Sequence, residues 1–223
     1  MRFYYSDGTC TIYHGDCREV LPGLPRADLL IADPPYGITA RRGTADLNLY
    51  TKRFPNKWSR DTPPVTGDEA PFEPLHLLGA ARNHILFGAN YYADRLPASS
   101  AWLVWDKRRG GTVNQAWNGA HAELAWTDFA FGVRVFSHLW TGYQRDSEVG
   151  EGSLHPTQKP VALMAWIIAN WTQPGDVILD PYMGSGPVLR AAKDLGRRAI
   201  GIEIEERYCE IAVRRLGQEV LAL

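Results

Sequence analysis

Asp33, Pro34, Pro35 and Tyr36 stand in a row directly after the apolar run Leu29-Leu30-Ile31-Ala32, and Gly37 follows them. That order of residue types suits one demanding reaction. An exocyclic amine on a nucleobase is a poor nucleophile because its lone pair is delocalised into the ring. A carboxylate and a main-chain carbonyl held in place by a proline can accept both amine hydrogens and draw the nitrogen toward a pyramidal geometry, with its lone pair exposed. An adjacent aromatic ring can stack on a base swung out of its helix. In this chemistry Asp33 and the carbonyl of Pro34 hold the amine, Pro35 stiffens the turn and Tyr36 supplies the ring. The bland alternative, a strand followed by a proline-stiffened turn, accounts for a lone Asp-Pro pair better than for the full set of four.

The elements around the motif must deliver it to a ligand. Residues 29–32 can pair as a buried strand, whereas Pro34 and Pro35 have no N–H to continue a ladder and fix their own φ. The strand therefore ends there and presents Asp33 and Tyr36 at its carboxyl edge, where open α/β sheets bind ligands.

A second constellation lies far along the chain. Val177-Ile178-Leu179 reads as a buried strand ending in Asp180-Pro181-Tyr182-Met183-Gly184-Ser185-Gly186; a helix over 187–195, a strand over 199–204 and a helix from 205 to about 216 follow. Gly184 and Gly186 let the backbone approach a ligand at a helix amino terminus. A dinucleotide fold needs a third glycine three residues on, and Leu189 stands there. Asp180 would also repel a pyrophosphate, whereas it would stabilise the ammonium of S-adenosylmethionine. Glu203, at the tip of the next strand, can accept both ribose hydroxyls. A plain βαβ crossover with a glycine turn is the competing reading.

With both motifs in view, the chain resembles the amino-group DNA methyltransferases, which use Asp-Pro-Pro-Tyr to methylate adenine N6 or cytosine N4. Residues 176–205 resemble their cofactor motif, including Tyr182, Met183 and Ser185, and residues 155–160 (His-Pro-Thr-Gln-Lys-Pro) resemble the segment before it. The target-base motif comes first and the glycine motif last, as in the permuted β group of the family. The resemblance implies a Rossmann-like S-adenosylmethionine-dependent methyltransferase fold with a mostly parallel seven-stranded sheet and an antiparallel edge hairpin. It also implies Asp16 near the cofactor adenine and His155, Thr157 and Lys159 in the cofactor site, with Thr157 and Lys159 near the methionine end. The expected substrate is the exocyclic amine of a flipped base in double-stranded DNA, and Asp33 in first position leans toward adenine N6. Cytosine N4 is the alternative, and a catalytically silent DNA-binding module of the same fold is a third reading. An RNA or protein-glutamine amino methyltransferase is a further alternative, since the Pro-Pro-Tyr set also occurs there with Asn in first position, and Asp33 argues weakly against the glutamine version. A homodimer and a cognate restriction enzyme are partners the family allows.

Composition sets the bounds. A chain of 223 residues that is 45% hydrophobic can bury one good core, so a single domain over 1–223 is expected. Residues 1–7 lack a signal-peptide pattern and no apolar run reaches membrane-spanning length, which points to a cytoplasmic protein. Cys10, Cys17 and Cys209 are too few and too scattered for a zinc site or a disulfide framework, and none follows a proline as the nucleophile of cytosine C5 methylation would. No metal is expected. A net charge of −1 means that DNA must be met by local patches rather than by the surface as a whole. Arg41, Arg42, Lys52, Arg53 and Lys57 fall in 38–70, together with Trp58, and Lys107, Arg108 and Arg109 fall in 106–120. These two segments are the candidate recognition loops. Elsewhere the periodicity predicts strands over 9–15, 84–88, 101–105, 121–126 and 132–140, the last two as a hairpin. It predicts helices over 17–21, 72–82 and from Pro160 to before Pro174.

Overall fold

The computed structural model describes residues 2–37, 66–108, 120–140, 144–150 and 158–218. Among these, nine strands form one sheet: β1 (Tyr5–Ser6), β2 (Cys10–His14), β3 (Ala27–Ala32), β4 (Ala81–Phe87), β5 (Trp102–Asp106), β6 (Ala122–Thr127), β7 (Arg134–Ser137), β8 (Val177–Asp180) and β9 (Arg198–Glu203). Their spatial order is β1-β2-β9-β8-β3-β4-β6-β5-β7. Strands β2, β9, β8, β3, β4, β5 and β7 share one direction, which β1 and β6 oppose. The helices are α1 (Cys17–Val20), α2 (Val161–Trp171), α3 (Pro187–Asp194) and α4 (Glu206–Leu216).

Side chains on the central strands alternate between two buried layers, as they must when both faces of a parallel sheet are covered. Leu29 and Ile31 pack with Leu163, Ile167, Leu189 and Ala212 from α2, α3 and α4. Leu30 and Ala32 pack on the other face with Val20, Phe72, Leu77 and Tyr92. Continuous apolar runs such as 29–32 therefore make sense as strands whose every side chain is covered. At α3, Gly186 supplies a left-handed residue (φ 78°) and Pro187 takes the first helical position, where its missing N–H costs nothing.

Two expectations differ from the structure. The helix predicted over 72–82 is a single 3-10 turn, Leu75–Leu77, flanked by Pro74 and by β4, which begins at Ala81. Ala81 and His84–Phe87 are buried, and the run is better satisfied by pairing with Ala27–Ala32 than by extending a proline-started turn. The predicted hairpin of 121–126 with 132–140 does not form. Strand β6 enters between β4 and β5, antiparallel to both, while β7 pairs in parallel with β5 at the sheet edge. Burial explains the choice: β6 is buried at Ala125, Trp126 and Thr127, whereas β7 is largely exposed and tolerates an edge. The sheet thus has more strands than the seven expected.

Connections leave the centre of the sheet in opposite senses. The chain runs from β3 to its neighbour β4 on one side, and from β8 to its neighbour β9 on the other. Strands β3 and β8 lie side by side, with Leu29 opposite Ile178 and Leu30 opposite Leu179. Their border is the topological switch point, where a crevice opens at the carboxyl ends.

Close packing beside this border can be tested at Gly201 in β9. A Cβ there would lie 2.4 Å from Met183 Sδ and 2.9 Å from Leu189 Cδ2. Gly201→Ala is expected to cost about 1–3 kcal/mol by overpacking, read as a lower urea midpoint at unchanged m-value.

Candidate active site

At the crevice, β3 stops at Ala32 and the next residue, Asp33, projects from its tip. The Tyr36 hydroxyl donates to Asp33 Oδ1, and the Lys159 ammonium donates to Asp33 Oδ2 at 2.5 Å. Lys159 Nζ also lies 3.1 Å from Glu123 Oε2, and Lys107 pairs with the other oxygen of Glu123. Lys159 is only 4% exposed. Burial raises the Asp33 carboxyl above its ordinary value, against the pull of Lys159. Burial acts on Glu123 in the same sense, but Lys159 and Lys107 overcome it and take this carboxyl down to about 2. Desolvation disfavours the Lys159 charge, yet Asp33 and Glu123 hold the ammonium above the usual lysine range.

From the β8 tip come Asp180 and the glycine turn. Asp180 Oδ1 accepts the Tyr182 N–H at 3.1 Å, and burial lifts its carboxyl well above the carboxylate range. Glu203 ends β9, where Oε2 accepts the Gly184 N–H at 2.9 Å and Oε1 the Glu205 N–H at 2.8 Å; burial raises this carboxyl too. Asp33, Lys159, Asp180, Tyr182, Met183, Gly184 and Ser185 line one cleft, completed by Ile31, Phe87, Gln158, Met164 and the start of α3. The two motifs, separated by nearly 150 positions in the chain, thus form a single site.

Other candidates sit nearby or elsewhere. Asp16 caps α1 by accepting the Arg18 N–H at 2.8 Å, and Gly15 donates to the Glu203 carbonyl, so Asp16 stands at the β2 tip beside β9 rather than in the wall of the cleft. The Tyr182 hydroxyl meets His76 Nε2 at 3.1 Å. Lys107 points inward to Glu123 and lies over the Trp105 ring, and Arg108 folds back on Asp106 at 2.7 and 2.9 Å. Arg41, Arg42, Lys52, Arg53, Lys57, Trp58, Arg109, His155 and Thr157 lie outside the described residues. All three cysteines are free and buried, and desolvation pushes Cys10 and Cys209 up to about 12, so neither is a ready nucleophile.

The motif search passed over Glu123, which no pattern marks. Its signal was available: it is the one charged residue in the apolar stretch Ala122-Glu123-Leu124-Ala125-Trp126, and an acid inside a buried strand requires a partner. Tyr36 also behaves differently from a free platform. Its ring stacks on Tyr91 with centroids 5.3 Å apart and planes at 13°.

Comparison with known proteins decides the family. Residues 90–214 match the family model N6_N4_Mtase, described as DNA methylase, and these are more than half of the chain. The chain belongs to the N6/N4 DNA methylase family. The methylase is 27% identical to the type II methyltransferase M.HinfI of Haemophilus influenzae, over 98% of this chain and 71% of that protein. Its fold is shared with the crystal structure of an M1.HpyAVI–SAM complex (TM-score 0.54, 22% identity, 93% of this chain and 100% of that one). It is shared also with the cytosine-N4-specific PvuII DNA methyltransferase (TM-score 0.64, 14% identity, 99% and 92%). No helix among the described residues of the methylase is long and apolar enough to cross a membrane.

Gly88 tests how the Tyr36 ring is held. It adopts φ 67°, and a Cβ on it would fall 2.0 Å from Tyr36 Cε1. Gly88→Ala is expected to displace Tyr36 and to cost about 1–3 kcal/mol, seen in a melt as roughly 2–4 °C lost per kcal/mol.

Proposed function

We propose that this methylase transfers a methyl group from S-adenosylmethionine to the exocyclic amine of a base flipped out of duplex DNA, with adenine N6 as the target and chain 1–223 acting as one domain. The observation that carries this reading is the shared cleft: an amine-accepting carboxylate and a buried cofactor carboxylate stand at neighbouring strand tips.

The acidic residues fit a cationic donor. Asp180 and Glu203 are both buried and both raised by desolvation, Asp180 well above its ordinary value, a penalty that a positively charged ligand relieves. Glu203 already accepts two backbone N–H groups, and each oxygen keeps a lone pair for a ribose hydroxyl. Gly184 and Gly186 have positive φ and bring the backbone close at the amino end of α3. S-adenosylmethionine supplies, when bound, an electrophilic methyl on a sulfonium. Asp33 and the Pro34 carbonyl orient the amine toward it and accept its hydrogens. Tyr36 stacks on the base after exchanging Tyr91 for it. Orientation and exclusion of water contribute most of the rate.

Duplex DNA is met through 38–70 and 106–120. Both stretches leave and rejoin the described fold at the edge that carries the site: Gly37 follows the motif and its N–H bonds Asp68, while Lys107 N–H bonds the His121 carbonyl. Asp33 in the first motif position favours adenine over cytosine N4. Nucleoside analysis of methylated DNA separates the two: N6-methyladenine is expected, and N4-methylcytosine would move the target.

Asp33→Ala is expected to lower transfer of tritiated methyl to duplex DNA by at least about 100-fold, and unchanged transfer would refute the assignment. Asp180→Asn separates binding from stability. Its folded-state pKa lies above the unfolded value, so the cost of its charge is absent in acid and grows as pH rises. The variant is expected to melt at or above the wild type at neutral pH, with the gap closing below about pH 4. It should also lose the stabilisation that saturating S-adenosylmethionine confers, about 2.7 kcal/mol at a hundredfold excess over Kd.

A further inference from the structure

Lys159 is the residue whose surroundings depart furthest from the role implied by family resemblance, a place at the methionine end of the donor. Its ammonium donates to Asp33 Oδ2 at 2.5 Å and to the Tyr36 hydroxyl at 3.4 Å, and it is ion-paired with Glu123 Oε2 at 3.1 Å. The Phe87 ring covers Nζ at 5.2 Å, and only 5% of the side chain is exposed. Three side-chain oxygens of the protein thus surround the ammonium. We propose that Lys159 is a positioning residue for the amine acceptor, and that Glu123 is the buried counter-anion that orients Lys159, so that β3, β6 and the residue before Pro160 together fix the Asp33 carboxylate.

Charge balance supports this division of labour. Asp33 and Glu123 contribute two negative charges, Lys159 and Lys107 two positive ones, and the four form a continuous chain of pairs. A buried ammonium between two carboxylates is stable because neither acid is left uncompensated. With Lys159 fixed on Oδ2, Asp33 keeps Oδ1, now bonded by Tyr36, for exchange with an incoming amine. The groups that face Asp33 are Tyr36 from its own turn, Lys159 before α2, Glu123 from β6, Asp180 from β8 and Tyr92 beyond β4. Of these, Lys159 and the Tyr36 hydroxyl favour the ionised acceptor while Glu123 and Asp180 oppose it. The two halves of the pair therefore act on Asp33 with opposite sign.

This inference rests on Asp33 being the amine acceptor, and the test keeps the two apart. Single-turnover methyl transfer to duplex DNA would be measured across pH for the wild type, Lys159→Met, Glu123→Gln and Asp33→Ala, with S-adenosylmethionine affinity measured by calorimetry. Lys159→Met is expected to slow transfer and to move the acidic limb up by about 1–3 pH units, with donor Kd within about twofold of the wild type. Glu123→Gln is expected to move the limb down, because a like charge near Asp33 is removed, and to slow the plateau rate. A Lys159→Met variant that weakens donor binding tenfold or more with an unmoved limb would make Lys159 a donor ligand and overturn the proposal. Should Lys159→Met fail to fold by circular dichroism, the isosteric Glu123→Gln carries the test, and an unmoved or upward limb refutes it. Full activity in Asp33→Ala would refute the underlying reading instead.

Discussion

Parallel pairing of β3 with β8 is the constraint on which the site depends. Only two residue pairs define it, Leu29 with Ile178 and Leu30 with Leu179, yet they bring together chain segments that share no local contact. Each strand is then stopped near the same rim by its own sequence, β3 by the two prolines after Asp33 and β8 by Pro181 after Asp180, with Asp180 level with Ile31 in the register. A shift in register would carry one acid below the rim of the sheet and exchange its buried face for the other. The layers of side chains above and below, from α2, α3 and α4 on one face and from Phe72, Leu77 and Tyr92 on the other, hold that register in place.

Electrostatics divides the cleft into two unlike halves. Around Asp33 the carboxylates are matched by ammonium groups, and Glu123 is driven deep into its ionised form. Around Asp180 and Glu203 backbone N–H groups are the partners, and burial pushes both acids the other way. The first half is charge-matched within the protein; in the second, desolvation outweighs the backbone N–H groups and, at Asp180, the pull of Lys159, so a positively charged ligand there would relieve it. A substrate and a positively charged cofactor can therefore share one crevice without competing for the same counter-charge.

Much of this was legible from residue order alone. Strand-ending prolines placed Asp33 and Asp180 at carboxyl edges, and unbroken apolar runs at 29–32 and 177–179 marked strands covered on both faces. Strand adjacency was harder to read, because pairing depends on contacts between distant segments. Strand β6 carries much the same alternating signal whether it folds back on β7 or inserts between β4 and β5, and burial of its last three residues decides the matter. The predicted helix at 72–82 failed for the same reason, since a partner strand outcompeted local propensity. Glu123 was invisible to motif matching because its importance lies in its neighbours, Lys159 and Lys107, neither of which is near it in sequence.

The contacts of Tyr36 give the crevice an internal surrogate for its guest. Its hydroxyl donates to Asp33 and its ring face is matched by Tyr91, so acceptor and aromatic surface are both engaged from within. An occupant that took the place of both partners would leave neither group unmatched only by supplying a donor hydrogen for Asp33 and a flat ring for the aromatic face.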